Sequence, residues 1–419
     1  MAATDQSRYL SFIEKMAGLL LLSYPTLMLA VKGGMNGAFL AMLLLVVAVW
    51  IARPNGLAPT AWKKEWTIYA ASMAAMSVAV FISQSYHQNY SASPYDGPSR
   101  YWLAIPVFLL LRRLDLRVIA MLQFAFPFAA IAGLLLAGRG EGRTGIDTLD
   151  LIHFGDFELI LAALSLFSVD WLGRDKMPLR ILKILGCAAG AAASFGSGSR
   201  GGWLAIPVFV LIYIYFTKGS LAPRKILAIV AAALVAGALL YSINSSVHQR
   251  VNDVRADIAA FDQGNRDTST GIRWQLYKAA LDIFSRNPLF GVGLGGFAAE
   301  MTPMMQAGKI TPVAAELGRG EVHNDILCKA AGMGIFGLAA ILAVYLVPLW
   351  LFWRAAKSAS AKIKRGGTLG IVFVSGFFVF GLTVETLNLT MAIAFYSFTV
   401  AALLAACYNT HHNEQVTTL

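Results

Sequence analysis

Apolar stretches of roughly membrane length, broken by short runs of charge, proline or glycine, recur along nearly all of this chain. Crossing a hydrocarbon core as a helix takes about 20 mostly apolar residues. On that measure the pattern predicts twelve spans, at 16–31, 34–52, 66–83, 101–111, 118–137, 155–172, 181–196, 202–217, 226–242, 325–353, 368–385 and 389–407. The run Trp102–Leu111 must borrow flanking residues to reach across, and 325–353 is long enough for a tilted helix or a re-entrant piece followed by a span. One long connection, 243–322, separates the ninth span from the tenth. Within it Val247, Val251, Val254, Ile258 and Phe261 recur at helical spacing among Arg250, Asp253, Arg255 and Asp257, the pattern of an amphipathic helix on a membrane surface. A second helix is expected from a Ser269-Thr270 cap through Ile272, Leu276, Ala280 and Ile283, ending at Asn287 because Pro288 follows. The glycine-rich stretch Phe290–Phe297 is expected to be a loop. The fold class is therefore an all-α polytopic membrane protein, residues 1–419 forming a single membrane domain with 243–322 as its one large outer loop.

Composition supports that class: 57% of the 419 residues are hydrophobic and only 14% charged, which excludes a soluble globule. Net charge is +11, and its placement carries more information than its sum. With a cytoplasmic N-terminus, the inner segments hold 20 of the 34 Lys and Arg residues. The short outer loops hold five (Lys32, Arg100, Arg139, Arg143 and Arg200), and the other nine lie in or beside the long connection. Retention of basic residues in cytoplasmic loops then puts both termini in the cytoplasm. No basic stripe interleaved with aromatics falls on a soluble segment, so no nucleic-acid partner is expected. Cys187, Cys328 and Cys407 are too scattered for a disulfide framework or a cysteine metal site. Met1–Lys15 is polar and has no cleavage signal, so the first apolar run is expected to be a retained helix.

Candidate chemistry concentrates at the outer helix ends. His323 begins the segment where the long loop re-enters the membrane, where an imidazole can meet water and a lipid-borne substrate and take a proton near neutral pH. A polar residue at a wet boundary is the plainer account. Arg200 follows the small-residue run Ser194–Ser199 and precedes Gly201-Gly202, a turn with little bulk to block a phosphate from a guanidinium. Snorkelling to headgroups is its alternative. Arg273, beside Trp274, is the second anion candidate, set against a solvated helix face; Arg139, Arg143, Arg286 and Arg319 are weaker. Glu385, the lone acid at the outer end of the eleventh span, is costly there unless it lies in the headgroup layer. Gly291–Gly296 fits a dinucleotide fingerprint, but no strand precedes it, so a packed glycine turn is expected. The six histidines show no helical ligand pair outside the polar tail, and Asp147 with Asp150 is sparse for a divalent ion, so neither metal nor cofactor is expected. Most charges sit at helix ends, which favours an enzyme over a transporter with mid-membrane ionisable groups.

His323-Asn324 followed by Gly334 and Gly337 resembles the signature of the O-antigen ligases. Gly271–Trp274 with Asn287–Gly293 is similar to the segment upstream of it in the wider ligase and polymerase superfamily, and Ser199–Gly201 resembles that superfamily's earlier arginine turn. The resemblance implies a GT-C-like membrane glycosyltransferase, metal-independent and without a cofactor, in the inner membrane of a Gram-negative bacterium with its active site on the periplasmic face. It would move a preassembled glycan from undecaprenyl diphosphate to a sugar hydroxyl of lipid A-core. His323 would be the base, Arg200 and Arg273 would bind the diphosphate, and Asn324 and Glu385 would support them. The alternatives are an O-antigen polymerase, ligation to a protein such as a pilin, or a transporter.

Overall fold

The computed structural model describes residues 3–53, 62–140, 143–217 and 263–409, with positions 57, 252 and 260 between them. Among the described residues the regular structure is helical apart from one small hairpin. Its membrane helices are α1 (Ala3–Ala30), α2 (Gly34–Ala52), α3 (Lys64–His87), α4 (Asp96–Leu111), the short α5 (Leu116–Ile119) leading into α6 (Leu122–Leu136), then α7 (Leu151–Phe167) and α8 (Met177–Ser197). A turn of helix α9 (Arg200–Trp203) precedes α10 (Ala205–Thr217). The ninth expected span, 226–242, and the first expected loop helix, Val247 to Phe261, lie outside the described residues. Next come three loop helices, α11 (Ser269–Arg286), α12 (Gly296–Gln306) and α13 (Pro312–Gly318). The long α14 (Asp325–Ala356), α15 (Ala361–Gly381) and α16 (Thr390–Cys407) complete the bundle. Among the described residues, eight helices are long and apolar enough to cross a membrane by length and composition.

The boundaries follow local chemistry. The expected span 34–52 is α2, entered through Gly33 in the left-handed region at φ 80°. The short apolar run at 101–111 gains five residues at its start, so α4 begins at Asp96. The sixth expected span moves from 155–172 to Leu151–Phe167 because the Asp150 side chain accepts from the backbone N–H groups of Ile152 and His153 and starts the helix early. The second loop helix keeps its expected extent, with Thr268 rather than Ser269 or Thr270 as its cap.

Packing separates two bodies of apolar side chains. In the bundle α16 is almost wholly buried, its Phe395 and Tyr396 meeting Phe373 and Phe377 of α15. Leu40, Leu44, Val47 and Trp50 of α2 instead point outward, as expected where lipid is the solvent. The loop helices form a second cluster from Ile272, Leu276, Ile283, Phe297, Met301 and Ala314, joined to the bundle through Val322 and Ala331. The described part of the long connection thus has an apolar core of its own and forms a cap on the bundle.

The α14 segment is broken at Gly334, whose φ of 61° and ψ of −147° interrupt the helix. The glycine-rich loop repairs the break: Val292 N–H donates to Ala331 O at 3.0 Å, Gly293 N–H to Gly332 O at 2.9 Å, and Ile335 N–H to Pro288 O at 2.8 Å. The pattern that matched a dinucleotide fingerprint is thus a backbone clamp on the kink. Of the two possibilities for 325–353, a short entering piece followed by a span describes the result.

Candidate functional site

Five segments distant in sequence meet where the cap rests on the bundle. They are the start of α7, the α8–α9 turn, the first turns of α11, the strand of chain before α14, and the end of α15. Each is held by short-range polar contacts that the residue types dictate.

His323 sits at φ 61°, a left-handed conformation that costs a non-glycine residue energy and is kept only where the surroundings impose it. Three contacts impose it. The Tyr277 hydroxyl of α11 lies 3.0 Å from His323 O and 2.8 Å from Leu382 O. Asn324 caps α14 by accepting from Leu327 N–H at 3.0 Å, and its amide donates to Leu382 O at 3.2 Å. Buried Glu385 accepts from Val322 N–H. Glu385 therefore lies in packed protein rather than among headgroups, tethering the chain that carries the imidazole. His323 Nδ1 lies 2.7 Å from Glu321 Oε1. Burial alone would raise the Glu321 carboxyl, but the adjacent His323 ring outweighs it and holds the group below the usual carboxylate range.

A second imidazole and carboxylate pair stands across from the first. His153 Nδ1 lies 2.6 Å from Asp150 Oδ2, and both members are within electrostatic reach of Glu321. Burial would raise the Asp150 carboxyl too; His153 and two backbone N–H donors lower it. His153 is buried, with Nε2 making no hydrogen bond within the protein. One turn further, Asp156 accepts from Ser199 Oγ at 3.0 Å and is within electrostatic reach of Arg273.

Arg200 opens α9 directly after Ser199 and is half-buried. Its turn consists of small residues because it is wedged between two elements. A Cβ on Gly202 would fall 2.2 Å from Asp156 Oδ1, and one on Gly201 would fall 2.5 Å from Thr383 Oγ1. Arg273 lies in the first turns of α11, where the helix dipole adds positive potential. The structure therefore gathers His323, Asn324, Arg273 and Glu385, and sets Arg200 on the adjoining turn through the Ser199–Asp156 link.

Other candidates fall elsewhere. Arg286 pairs with Asp282 and Glu300, and Arg319 with Glu316, on the outer surface of the cap. Arg139 and Arg143 belong to the hairpin Gly138–Gly140 with Arg143–Gly145, and their side chains lie outside what is described. Among the described residues no group of three or more His, Cys, Asp or Glu side chains is arranged to hold a metal ion. The expectation that charge stays at helix ends has an exception in Glu158, fully buried inside α7 with neither carboxyl oxygen hydrogen-bonded. Glu321, Tyr277 and the Asp150–His153 pair escaped sequence reasoning. The spacings Glu321-x-His323 and Asp150-x-x-His153 were the available signals.

The arrangement brings two arginines and a held imidazole together at one end of the bundle. Residues 185–342 match the family model described as O-Antigen ligase, a segment holding Arg200, Arg273, His323 and Asn324. A Haemophilus influenzae protein described as uncharacterized is 26% identical over 290 residues, 67% of this chain and 71% of the relative. The O-antigen ligase of Escherichia coli K12 is 25% identical over 159 residues, 38% of this chain and 36% of that ligase. Over residues 185–342 the chain is similar to the O-antigen ligase family. Those likenesses support a membrane glycosyltransferase of the ligase or polymerase type, with a polysaccharide and a lipid as the class of substrate.

Proposed function

We propose that this chain is an O-antigen ligase of a Gram-negative inner membrane, transferring a preassembled glycan from undecaprenyl diphosphate to a hydroxyl of lipid A-core on the periplasmic face. The observation that carries the reading is the Glu321–His323 pair, fixed by Tyr277, Asn324 and Glu385 at the same end of the bundle as Arg200 and Arg273. With Nδ1 turned to Glu321, His323 Nε2 is the ring nitrogen left to take the acceptor's proton. The acceptor oxygen then bonds to the anomeric carbon as the bond from that carbon to the diphosphate oxygen breaks. The electron pair leaves on the diphosphate, where Arg200 and Arg273 stabilise the developing charge. Attack opposite the leaving group inverts the anomeric configuration, and a retained configuration in the product overturns that step. His153, oriented by Asp150, is buried nearby, its Nε2 making no hydrogen bond within the protein.

The deciding experiment uses cells lacking their own ligase. A general base contributes about 10²- to 10⁴-fold, so His323→Ala is expected to reach the membrane yet leave glycan on its lipid carrier and the surface free of O-antigen. Glu321→Gln is expected to retain a reduced rate. Normal ligation by His323→Ala removes the imidazole from the mechanism. With purified protein, chains that lengthen without joining lipid A-core would identify a polymerase instead.

A further inference from the structure

At the opposite end of the bundle, a crevice of about 580 Å³ opens between the ends of α7, α8, α10 and α15. Its walls include Phe167, Tyr213 and Phe216, and its cations are Arg180, Lys364 and Arg365. One acid, Asp170, lies among them and accepts from Arg180 Nη2 at 2.9 and 3.0 Å. The Arg180 Nε is buried and makes no hydrogen bond within the protein. Three cations against one carboxylate leave the crevice with an excess of two positive charges. The neighbouring Lys183–Asp175 pair, 2.9 Å apart, is internally balanced and adds none.

The position narrows the occupant. α15 begins at this crevice and ends beside the His323 tether, and its 21 residues span about 30 Å, the thickness of a bilayer core. The crevice thus faces the other leaflet from the candidate site. A water-soluble anion would have no use for aromatic walls at that depth, and a neutral lipid would leave the cations without counter-charge. An anionic glycerophospholipid meets both demands, its phosphate diester among Arg180, Lys364 and Arg365 and an acyl chain against Phe167, Tyr213 and Phe216.

We propose that this crevice is a binding site for an anionic glycerophospholipid of the leaflet opposite the candidate site. The assignment stands whatever reaction occurs at the other end. The test is native mass spectrometry of the full chain released from detergent, titrated with phosphatidylglycerol or with phosphatidylethanolamine of the same acyl composition. Phosphatidylglycerol is expected to be retained on the order of tenfold better. In Lys364→Ala/Arg365→Ala that preference is expected to vanish, while circular dichroism and the melting temperature show the variant folded. Equal retention of the two lipids overturns the proposal, as does an unchanged preference in the folded variant. Should the double variant fail to fold, Lys364→Gln and Arg365→Gln singly provide the same comparison. Displacement of phosphatidylglycerol by millimolar inorganic phosphate alone also overturns it, because the crevice would then be an ion site.

Discussion

An imidazole held 2.6 or 2.7 Å from a carboxylate constrains both partners, and this site contains two such pairs, His153 with Asp150 and His323 with Glu321. Both carboxyls ionise more readily in the folded chain than they ordinarily would. A lowered folded value means stability that is present above the ordinary carboxylate range and lost as pH falls through the folded value. The apparent melting temperature of the detergent-purified chain, at fixed scan rate, is therefore expected to drop between about pH 5 and pH 3. Asp150→Asn/Glu321→Gln should show a shallower drop across that window; a slope equal to the parent's would mean the pairs do not couple to folding. At this scale sequence reading draws attention to a residue that is out of place in its setting. Arg200 in a turn of small residues, His323 at a membrane entry and Glu385 in an apolar run all stand out. Asp150 reads as an ordinary helix cap and His153 as an isolated histidine. Their pairing is itself local, but only the tertiary contact between α7 and the chain before α14 brings them near Glu321.

Elements were legible in proportion to how far local chemistry decides them. The boundaries of α2 and α11 follow from glycine, Thr268 and Pro288, and the structure keeps them within a residue or two. The kink in α14 depends on a partner 40 residues upstream, so apolar length alone left two readings of 325–353 open. Gly334 and the Gly291–Gly293 loop form one unit: a Cβ on Gly334 would fall 2.3 Å from Leu289 O, in a backbone conformation that L residues avoid. Gly308 provides a comparison, with a φ of 68° and nothing within 4 Å of an added Cβ, whereas Gly334 also has a ψ of −147° that L residues rarely adopt. Gly308→Ala is expected to cost about 1–2 kcal/mol, the left-handed penalty alone. Gly334→Ala must move Leu289 as well, and its loss of melting temperature should be clearly the larger. Equal losses would mean that the loop does not brace the kink. Because α14 begins one residue after His323-Asn324, a shifted kink should also lower ligation in cells where the protein still reaches the membrane.

For the whole molecule, part of the basic-loop pattern counted along the sequence gathers at one end of the bundle. At one end of the bundle Arg354 Nη1 meets Glu65 Oε1 at 3.0 Å, the Arg112 guanidinium stacks 3.7 Å above Trp66, and Asn409 Nδ2 donates to Leu114 O at 3.0 Å. These contacts draw the start of α3 and the ends of α4, α14 and α16 into one layer, which also includes the Lys364 crevice by way of α15. His323 lies in the other layer, just before the far end of α14, with Arg200 of α9 and Arg273 of α11 beside it. Under the proposed function, retention of basic segments on the cytoplasmic side would turn the site outward, where finished glycans and lipid A-core would meet. That inference is open to a direct check. With Cys187, Cys328 and Cys407 replaced by serine, Gly320→Cys and Lys362→Cys each place one thiol at an exposed position, at opposite ends. A membrane-impermeant maleimide added to intact spheroplasts is expected to label position 320 and to reach position 362 only after lysis. The reverse result would turn the molecule over and put the imidazole on the side where the basic loops belong. Ligation in the periplasm could not then be its reaction, although the geometry of the site would be unchanged.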